Sequence, residues 1–449
     1  MRKILLIGAG KSSSSLIKYL MDNAEQENWS TTVADIFIEH LNEHIKDNSS
    51  IKAIKFDVFN QKQRESEIIN SDIVISLLPA RFHIIVAKDC LKLKKNLVTA
   101  SYVSPELKAM EQEVKNAGLI FLNEIGLDPG LDHLSAMKVI DQIKETGSEM
   151  IGFESFCGGL VAPEYEKDNP WKYKFTWNPR NVVIAAQGSA AKFIQAGKYK
   201  YIPYHKIFRR TEVIEIEGYG KFQGYANRDS LTYCDVYGLK DVKTFFRGTL
   251  RRLGFCRAWD MFVQLGMTDD SYILDNSENM TYRDFINLFL AYDIIDSVEL
   301  KVQHYLNIDQ DSDLMEKLEW LDLFKNIKIG LKNATPAQIL QHILEKKWTL
   351  EPEDKDMVIM WHKFDYMELG QHKQIQSSMV VIGDNQTYTA MAKTVGLPVA
   401  IATKHILNGI INKTGIIIPL TKDIYAPILD ELANYGINFN EKKIEFQKI

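Results

Sequence analysis

Lys3-Ile4-Leu5-Leu6-Ile7-Gly8-Ala9-Gly10-Lys11-Ser12-Ser13 is an apolar run that ends in a glycine turn and leads into a helical stretch over residues 16–21. Strand, tight turn and helix N-terminus in that order open a βαβ unit, and this placement gives weight to a glycine pair that alone means little. Phosphate oxygens would be bound at such a turn by backbone N–H groups and the positive end of the helix dipole. Gly8, Gly10, Lys11, Ser12 and Ser13 are therefore candidate nucleotide contacts. Ser13 replaces the third glycine of the fingerprint and is small enough to keep helix and strand close.

Working outward, further β-rich runs fall at residues 31–34, 51–56, 72–78, 96–100 and 119–123, with helical segments between them. Because runs such as Ile73-Val74-Ile75 are continuous and do not alternate, both faces of the sheet should be covered. The expected class is α/β: a Rossmann-type doubly wound parallel sheet over residues 1–130, with 385–449 packing back on it. A second α/β domain, for substrate and dimerisation, is expected from 131–270 and 353–384, where aromatics and glycines rise and strand-like pieces such as 150–157 and 212–217 appear. Residues 271–352 read as a small all-helical subdomain. Thr281 precedes Phe285, Leu288 and Phe289 at core spacing, and Thr335-Pro336-Ala337-Gln338 joins a hydroxyl N-cap, a first-turn proline and a glutamine at N3. Residues 389–407 should form a helix stopped by Gly409.

A chain of 449 residues with 45% hydrophobic content can fill two or three cores. Its net charge of −5 comes from 54 basic and 59 acidic residues mixed along the sequence, without the basic stripe that grips phosphate backbones, so no nucleic-acid partner is expected. Met1-Arg2-Lys3 runs into an apolar stretch too short for a signal sequence, and no segment approaches the ~20 apolar residues of a membrane span. A cytoplasmic protein with no membrane partner is expected. Cys90, Cys157, Cys234 and Cys256 are scattered and show no CxxC spacing, which suggests neither a disulfide framework nor a metal site.

Asp35 ends the second strand 22 residues after Ser13, near the spacing at which an acidic side chain accepts from the adenosine ribose. That favours NAD. A 2′-phosphate ~4 Å from the carboxylate would meet repulsion of about 4 kcal/mol per charge at an effective dielectric of 20. Lys11 beside the same ribose edge could offset part of it, which keeps NADP open. Ligands of such sheets lie at the carboxyl ends of the strands, so Asp57-Val58, Ser76-Leu77-Leu78 and Thr99-Ala100-Ser101 should also face the nucleotide.

The run Val98-Thr99-Ala100-Ser101-Tyr102-Val103-Ser104-Pro105, followed by Asn123-Glu124-Ile125-Gly126-Leu127-Asp128-Pro129-Gly130-Leu131-Asp132-His133, resembles the core signature of the saccharopine dehydrogenase family, in its glutamate-forming branch. Cys157-Gly158-Gly159-Leu160, Tyr173-Lys174-Phe175-Thr176-Trp177, Asn227-Arg228-Asp229-Ser230, Arg247-Gly248-Thr249-Leu250 and Ala390-Met391-Ala392-Lys393-Thr394-Val395-Gly396-Leu397-Pro398 follow in the family's order, so the likeness covers essentially the whole chain. It implies a reversible NAD(P)-dependent cleavage of saccharopine to L-glutamate and 2-aminoadipate 6-semialdehyde in lysine metabolism, by a homodimer. Carried over by position, substrate would be held by Ser101, Tyr102, Asp128, Thr176, Arg228, Arg247, Gly248 and Thr249. Leu127, Asp128 and Pro129 would also meet the nucleotide. Tyr102, Asp128 and Cys157 would surround the reacting centre. Thr176 stands where the family has serine and keeps the hydroxyl, and Ala226 stands where it has proline.

Saccharopine carries three carboxylates, and a guanidinium suits each because it can offer two parallel hydrogen bonds. No single general base is assigned, since the substrate amine can itself shuttle protons. His133 opens a helical stretch over 131–140 and is read as making a local hydrogen bond. Two alternatives compete. A carboxynorspermidine or carboxyspermidine dehydrogenase would act on a similar imine with fewer carboxylates, against which Arg228 and Arg247 both speak. A non-catalytic nucleotide-binding scaffold is opposed by the polar groups kept at every substrate position.

Overall fold

The N-terminal apolar run forms β1 (Arg2–Ile7), an inner strand of a seven-stranded sheet. This is a computed structural model that describes residues 1–39, 45, 48–166, 168–185, 187–188 and 190–446. The chain divides into two units, Met1–Glu149 with Met379–Glu441, and Met150–Ser378 with Lys442–Ile449. In the first, β2 (Trp29–Asp35), β3 (Ile51–Lys55), β4 (Ile73–Ser76), β5 (Asn96–Thr99) and β6 (Ile120–Leu122) fall within one or two residues of the sequence expectation. Their order is Gly415–Ile417, β6, β5, β4, β1, β2, β3, with every pairing parallel. The strand order reverses between β1 and β4, so the crevice at their carboxyl ends is where a doubly wound sheet takes its ligand.

The register sets these ends at one level, Ile7 beside both Ala34 and Ser76, and Ser76 beside Thr99. Ile73, Val74, Ile75 and Ser76 are fully buried, as continuous apolar runs demand of a sheet covered on both faces. Each aliphatic side chain there is worth about 1.5–3 kcal/mol. Ser76 gains nothing from this setting unless its hydroxyl finds a partner. The helix Ser14–Asp22 follows the glycine turn, and Ala390–Leu407, capped by Thr389 accepting from the Ala392 N–H, packs on it. The approach is so close that a Cβ on Gly396 would stand 2.9 Å from the Leu16 nitrogen.

The second unit is built on a nine-stranded mixed sheet. Its main path runs Thr211–Ile216, Gly220–Ala226, Thr244–Arg252, Glu149–Val161, Asp356–Glu368, Gln371–Ile382 and Asn440–Glu445, with the hairpin Ala191–Gln195/Lys198–Ile202 attached to Thr244–Arg252. Four α-helices follow in the helical stretch, Tyr282–Asn287, Val298–Leu306, Asp313–Trp320 and Pro336–Trp348. Thr281 and Thr335 close capping boxes with Asp284 and Gln338. The first helix is shorter than its core spacing suggested. It ends at Asn287, where bonds tighten to i→i+3 (Phe289 N–H to the Ile286 carbonyl, Leu290 N–H to that of Asn287), and Leu288 is turned 50% exposed. Trp171, Trp259 and Trp348 anchor an aromatic core with Tyr173, Phe255 and Phe262, which fixes the segment carrying Thr176. Among the described residues no helix is long and apolar enough to cross a membrane.

Candidate functional site

Gly8 has φ +97°, and a Cβ there would meet the Leu77 carbonyl carbon and oxygen at 2.9 Å, so only glycine lets the turn press against the end of β4. Around Gly10, by contrast, a Cβ would have nothing within 4 Å. The Ser13 hydroxyl donates to the Gly10 carbonyl (2.8 Å) and closes the turn, while Ser12 is half-buried and Lys11 is exposed at its rim. Asp35 braces the same turn, its carboxylate accepting from the Ala9 N–H (2.6 Å), and its other oxygen accepts locally from the Phe37 N–H (2.9 Å). A cavity of about 460 Å³ opens here, lined by Gly10, Lys11, Lys18, Asp35 and Phe37 and, from far along the chain, by Gln386, Thr387 and Tyr388. Its size and the helix N-terminus fit an adenosine diphosphate moiety. The 386–388 segment had no signal in the sequence, since Ser14 meets it through a hydroxyl bond to the Thr387 carbonyl.

Farther along the strand ends the expected residues behave differently. Asp57 is exposed and accepts from the Phe59 N–H (2.9 Å), while Val58 is buried and its carbonyl is taken by Arg64, which also pairs with Asp89. Leu77 and Leu78 are half-buried beside Gly8. Ser76 and Ser101 are bridged by a residue that the sequence did not single out. His83 Nδ1 lies 2.8 Å from Ser76 Oγ, its Nε2 lies 2.8 Å from Ser101 Oγ, and Thr99 Oγ1 stands 3.4 Å from Nε2. Burial pushes the His83 imidazole down to about 4, so it is neutral at ordinary pH.

Ser101 is held to the next loop, where its carbonyl accepts from the Glu124 N–H (3.1 Å). That loop contains Leu127, Asp128 and Pro129, with a cis Asp128-Pro129 bond. The Tyr102 hydroxyl donates to Asp128 Oδ1 (3.0 Å), so the structure brings Ser101, Tyr102 and Asp128 together. His133 is fully buried with Nε2 2.9 Å from Glu124 Oε2, and Glu124 Oε1 accepts from the Val103 N–H (3.0 Å). This pair braces the two loops against each other.

In the second unit, parallel pairing sets Arg247 beside Ser155, Gly248 beside Phe156 and Thr249 beside Cys157. Residues two apart share a sheet face, so Arg247, Thr249, Ser155 and Cys157 lie on one face. Arg247 is buried with its guanidinium 4.4 Å over the Tyr233 ring, and its carbonyl accepts from the Asn227 N–H (3.0 Å), which sets Arg228 in the adjacent chain. Arg228 is exposed, and Asp229 beside it pairs with Lys192 (3.3 Å). Thr176 is buried with no partner for its hydroxyl among the described residues, and the same holds for the Tyr173 hydroxyl. Sequence reasoning also passed over Arg251, on the face of Arg247 and Thr249. It is buried among Tyr173, Tyr225 and Phe255, with its Nε unpartnered among the described residues. Among those residues no group of three or more histidine, cysteine or acidic side chains could hold a metal ion.

Comparison with known proteins agrees along the whole chain. A family model described as saccharopine dehydrogenase NADP binding domain matches residues 4–122, and one described as saccharopine dehydrogenase C-terminal domain matches residues 126–437. The chain is 34% identical over 98% of its length to the mitochondrial alpha-aminoadipic semialdehyde synthase of Mus musculus, of which it spans about half (47%). It is also 34% identical to the saccharopine dehydrogenase (NADP(+), L-glutamate-forming) of Saccharomyces cerevisiae, over 99% of both. An apo structure of the L-Glu-forming saccharopine dehydrogenase from Saccharomyces cerevisiae matches with a TM-score of 0.89 at 32% identity, covering 99% of this chain and 100% of that one. With its α/β architecture, its glycine turn and two family models that together account for nearly every residue, the chain belongs to the saccharopine dehydrogenase family.

Proposed function

We propose that this protein is an NADP-dependent oxidoreductase that interconverts saccharopine with L-glutamate and 2-aminoadipate 6-semialdehyde. The observation that carries the reading is its full-length similarity to a yeast protein named for that reaction, with a polar side chain at every position but Gly248 that the resemblance assigns to substrate. NADP is favoured over NAD by the relatives' printed names, against the repulsion that the Asp35 carboxylate alone would offer a 2′-phosphate.

When bound, the nicotinamide supplies a hydride acceptor for the substrate carbon that bears the secondary amine, and water opens the resulting imine. The turn from Gly8 to Ser13 would hold the pyrophosphate, and Thr99, Leu127 and Pro129 are read as further residues that would hold the dinucleotide. Asp128, oriented by the Tyr102 hydroxyl, binds the substrate amine. Arg228 and Arg247 take carboxylates, with Thr176 and the backbone at Gly248-Thr249 as neutral donors. Cys157, beside Thr249 on the same sheet face, is read with Tyr102 and Asp128 as part of the surroundings of the reacting centre. The amine must be neutral before hydride leaves, and it can carry its own proton to water.

Purified protein mixed with saccharopine and either NADP or NAD, scored for glutamate, tests both parts. Glutamate with NADP supports the reading, turnover faster with NAD removes the cofactor preference, and none with either removes the function. A homodimer belongs to the same reading by family analogy, and a monomeric mass in sedimentation equilibrium would remove that part.

A further inference from the structure

We propose that His83 fixes the hydrogen-bond polarity of Ser101, donating to its oxygen so that the hydroxyl hydrogen is turned away from His83 and donates to an acceptor oxygen of the ligand. The inference rests on the proposed reading that Ser101 touches the ligand, and it names what Ser101 recognises there.

The argument begins at Ser76. It closes a fully buried strand, and the His83 imidazole is the one partner of its hydroxyl among the described residues. A neutral imidazole has one N–H donor and one bare nitrogen, and the surrounding network decides which is which. If Nδ1 carried the proton, Ser76 would have to accept it, and its own hydroxyl hydrogen would be buried with nothing to meet. That arrangement is disfavoured by roughly tenfold or more. With the proton on Nε2, Ser76 donates to Nδ1 and both partners are satisfied. Nε2–H then points at Ser101 Oγ, with Thr99 Oγ1 as a longer second acceptor.

Two features hold the imidazole neutral so that this polarity persists. It is buried, and it sits at the first position of the helix His83–Leu93, where the positive end of the helix dipole opposes a further charge. The Ser101 backbone is fixed as well, since its N–H reaches Thr99 Oγ1 (3.3 Å) and its carbonyl takes the Glu124 N–H. One lone pair of Ser101 Oγ is therefore occupied by His83, and the hydroxyl hydrogen is left to point elsewhere. Ser101 is half-buried, so a ligand can reach it. The group that this hydrogen meets is an acceptor oxygen, either a substrate carboxylate or the carboxamide oxygen of a nicotinamide. His83 touches neither and is a positioning residue.

The tautomer can be read directly from the ring-nitrogen resonances of ¹⁵N-histidine-labelled full-length protein, without any variant. A proton on Nε2 with a bare Nδ1 supports the proposal, and a proton on Nδ1 overturns it. Kinetics then separate positioning from mere packing. His83→Gln keeps an N–H near the Nε2 position, whereas His83→Leu keeps volume and loses it. The leucine variant should lose on the order of tenfold in affinity at the ligand that Ser101 serves, and the glutamine variant should retain most of it. A loss confined to the saccharopine KM assigns the carboxylate, and a loss in dinucleotide Kd, followed by nicotinamide fluorescence, assigns the carboxamide. Equal effects of the two variants on both ligands overturn the proposal. Should the wild-type protein turn over no saccharopine, the functional reading falls while the NMR result still decides the polarity of the bridge.

Discussion

Past the carboxyl ends of β4, β5 and β6 three sets of polar side chains bond to one another, although Asn123 Oδ1 just after β6 is buried without a partner among the described residues, whereas around Thr176 and Arg251 in the second unit it is the hydroxyls and a guanidinium nitrogen that stand so. Ser76, His83 and Ser101 form one chain of bonds, Tyr102 and Asp128 a second, Glu124 and His133 a third. In the other region the Thr176 and Tyr173 hydroxyls and Arg251 Nε are desolvated and have no protein partner among the described residues. A buried polar group left unpaired costs about 1–3 kcal/mol, so such groups persist where something outside the chain satisfies them. On the proposed reading the contrast separates a bonded cradle from a wall whose buried polar groups would be met by a polar ligand or by water.

The strongest way to break that contrast is Arg247→Ala. On the proposed reading it removes a charge-assisted bond to a carboxylate and raises the saccharopine KM roughly a hundredfold, with dinucleotide Kd unchanged. An unchanged KM would take Arg247 out of the substrate region, and Arg247→Lys, which keeps charge but not the planar stack on Tyr233, guards against a folding defect.

Acid titration tests the self-satisfied side. His83 has a folded value of about 4 against an ordinary 6.5. The unfolded chain therefore binds a proton that the folded one refuses. This neutral histidine contributes its full stability above about pH 6.5, and that contribution is lost as pH falls toward 4, by up to about 3 kcal/mol. Urea unfolding at stepped pH should show this slope in the wild type and a shallower one in His83→Gln. Identical slopes would mean that the imidazole takes its proton in the folded state.

Gly8→Ala should come next. Positive φ and the contact with Leu77 together cost about 2 kcal/mol, lowering the melting temperature and weakening dinucleotide binding. A variant with native melting and native Kd would show that the turn can shift away from β4. The smallest effect sharpens the comparison most. Thr176→Val deletes an unpartnered hydroxyl and should stabilise the ligand-free protein by about 1 kcal/mol while raising the saccharopine KM about tenfold. Destabilisation instead would reveal that the hydroxyl already has a partner, such as water.

Much of this was legible in advance, and the exceptions share a cause. Continuous apolar runs fixed β1 to β6 within a residue or two, and Thr281 and Thr335 announced their helices because caps are local chemistry. The glycine turn and Asp35 were legible too, although Asp35 braces the turn through the Ala9 N–H, a role that its spacing did not reveal. His83 carried no local signal. Seven residues separate it from Ser76 and 18 from Ser101, and they meet only because β4 and β5 pair in parallel with Ser76 beside Thr99. His133 was read as a local helix-start residue, yet its partner is Glu124 on the preceding loop, nine residues back. Leu288 had core spacing but was turned outward when the helix tightened at Asn287.

Sequence by itself determined the parallel α/β order, the glycine turn, the helix starts and the family, because hydrophobic period, capping and motif order act over a few residues or survive as a linear pattern. Only the tertiary structure decided which polar atoms meet. It joined Ser76 to Ser101 through His83, brought Gln386–Tyr388 to the cavity beside the glycine turn and left Arg251 Nε and the Thr176 hydroxyl without a partner among the described residues. Hydrogen bonds form between groups that packing brings within about 3 Å, and a one-dimensional pattern does not encode that distance.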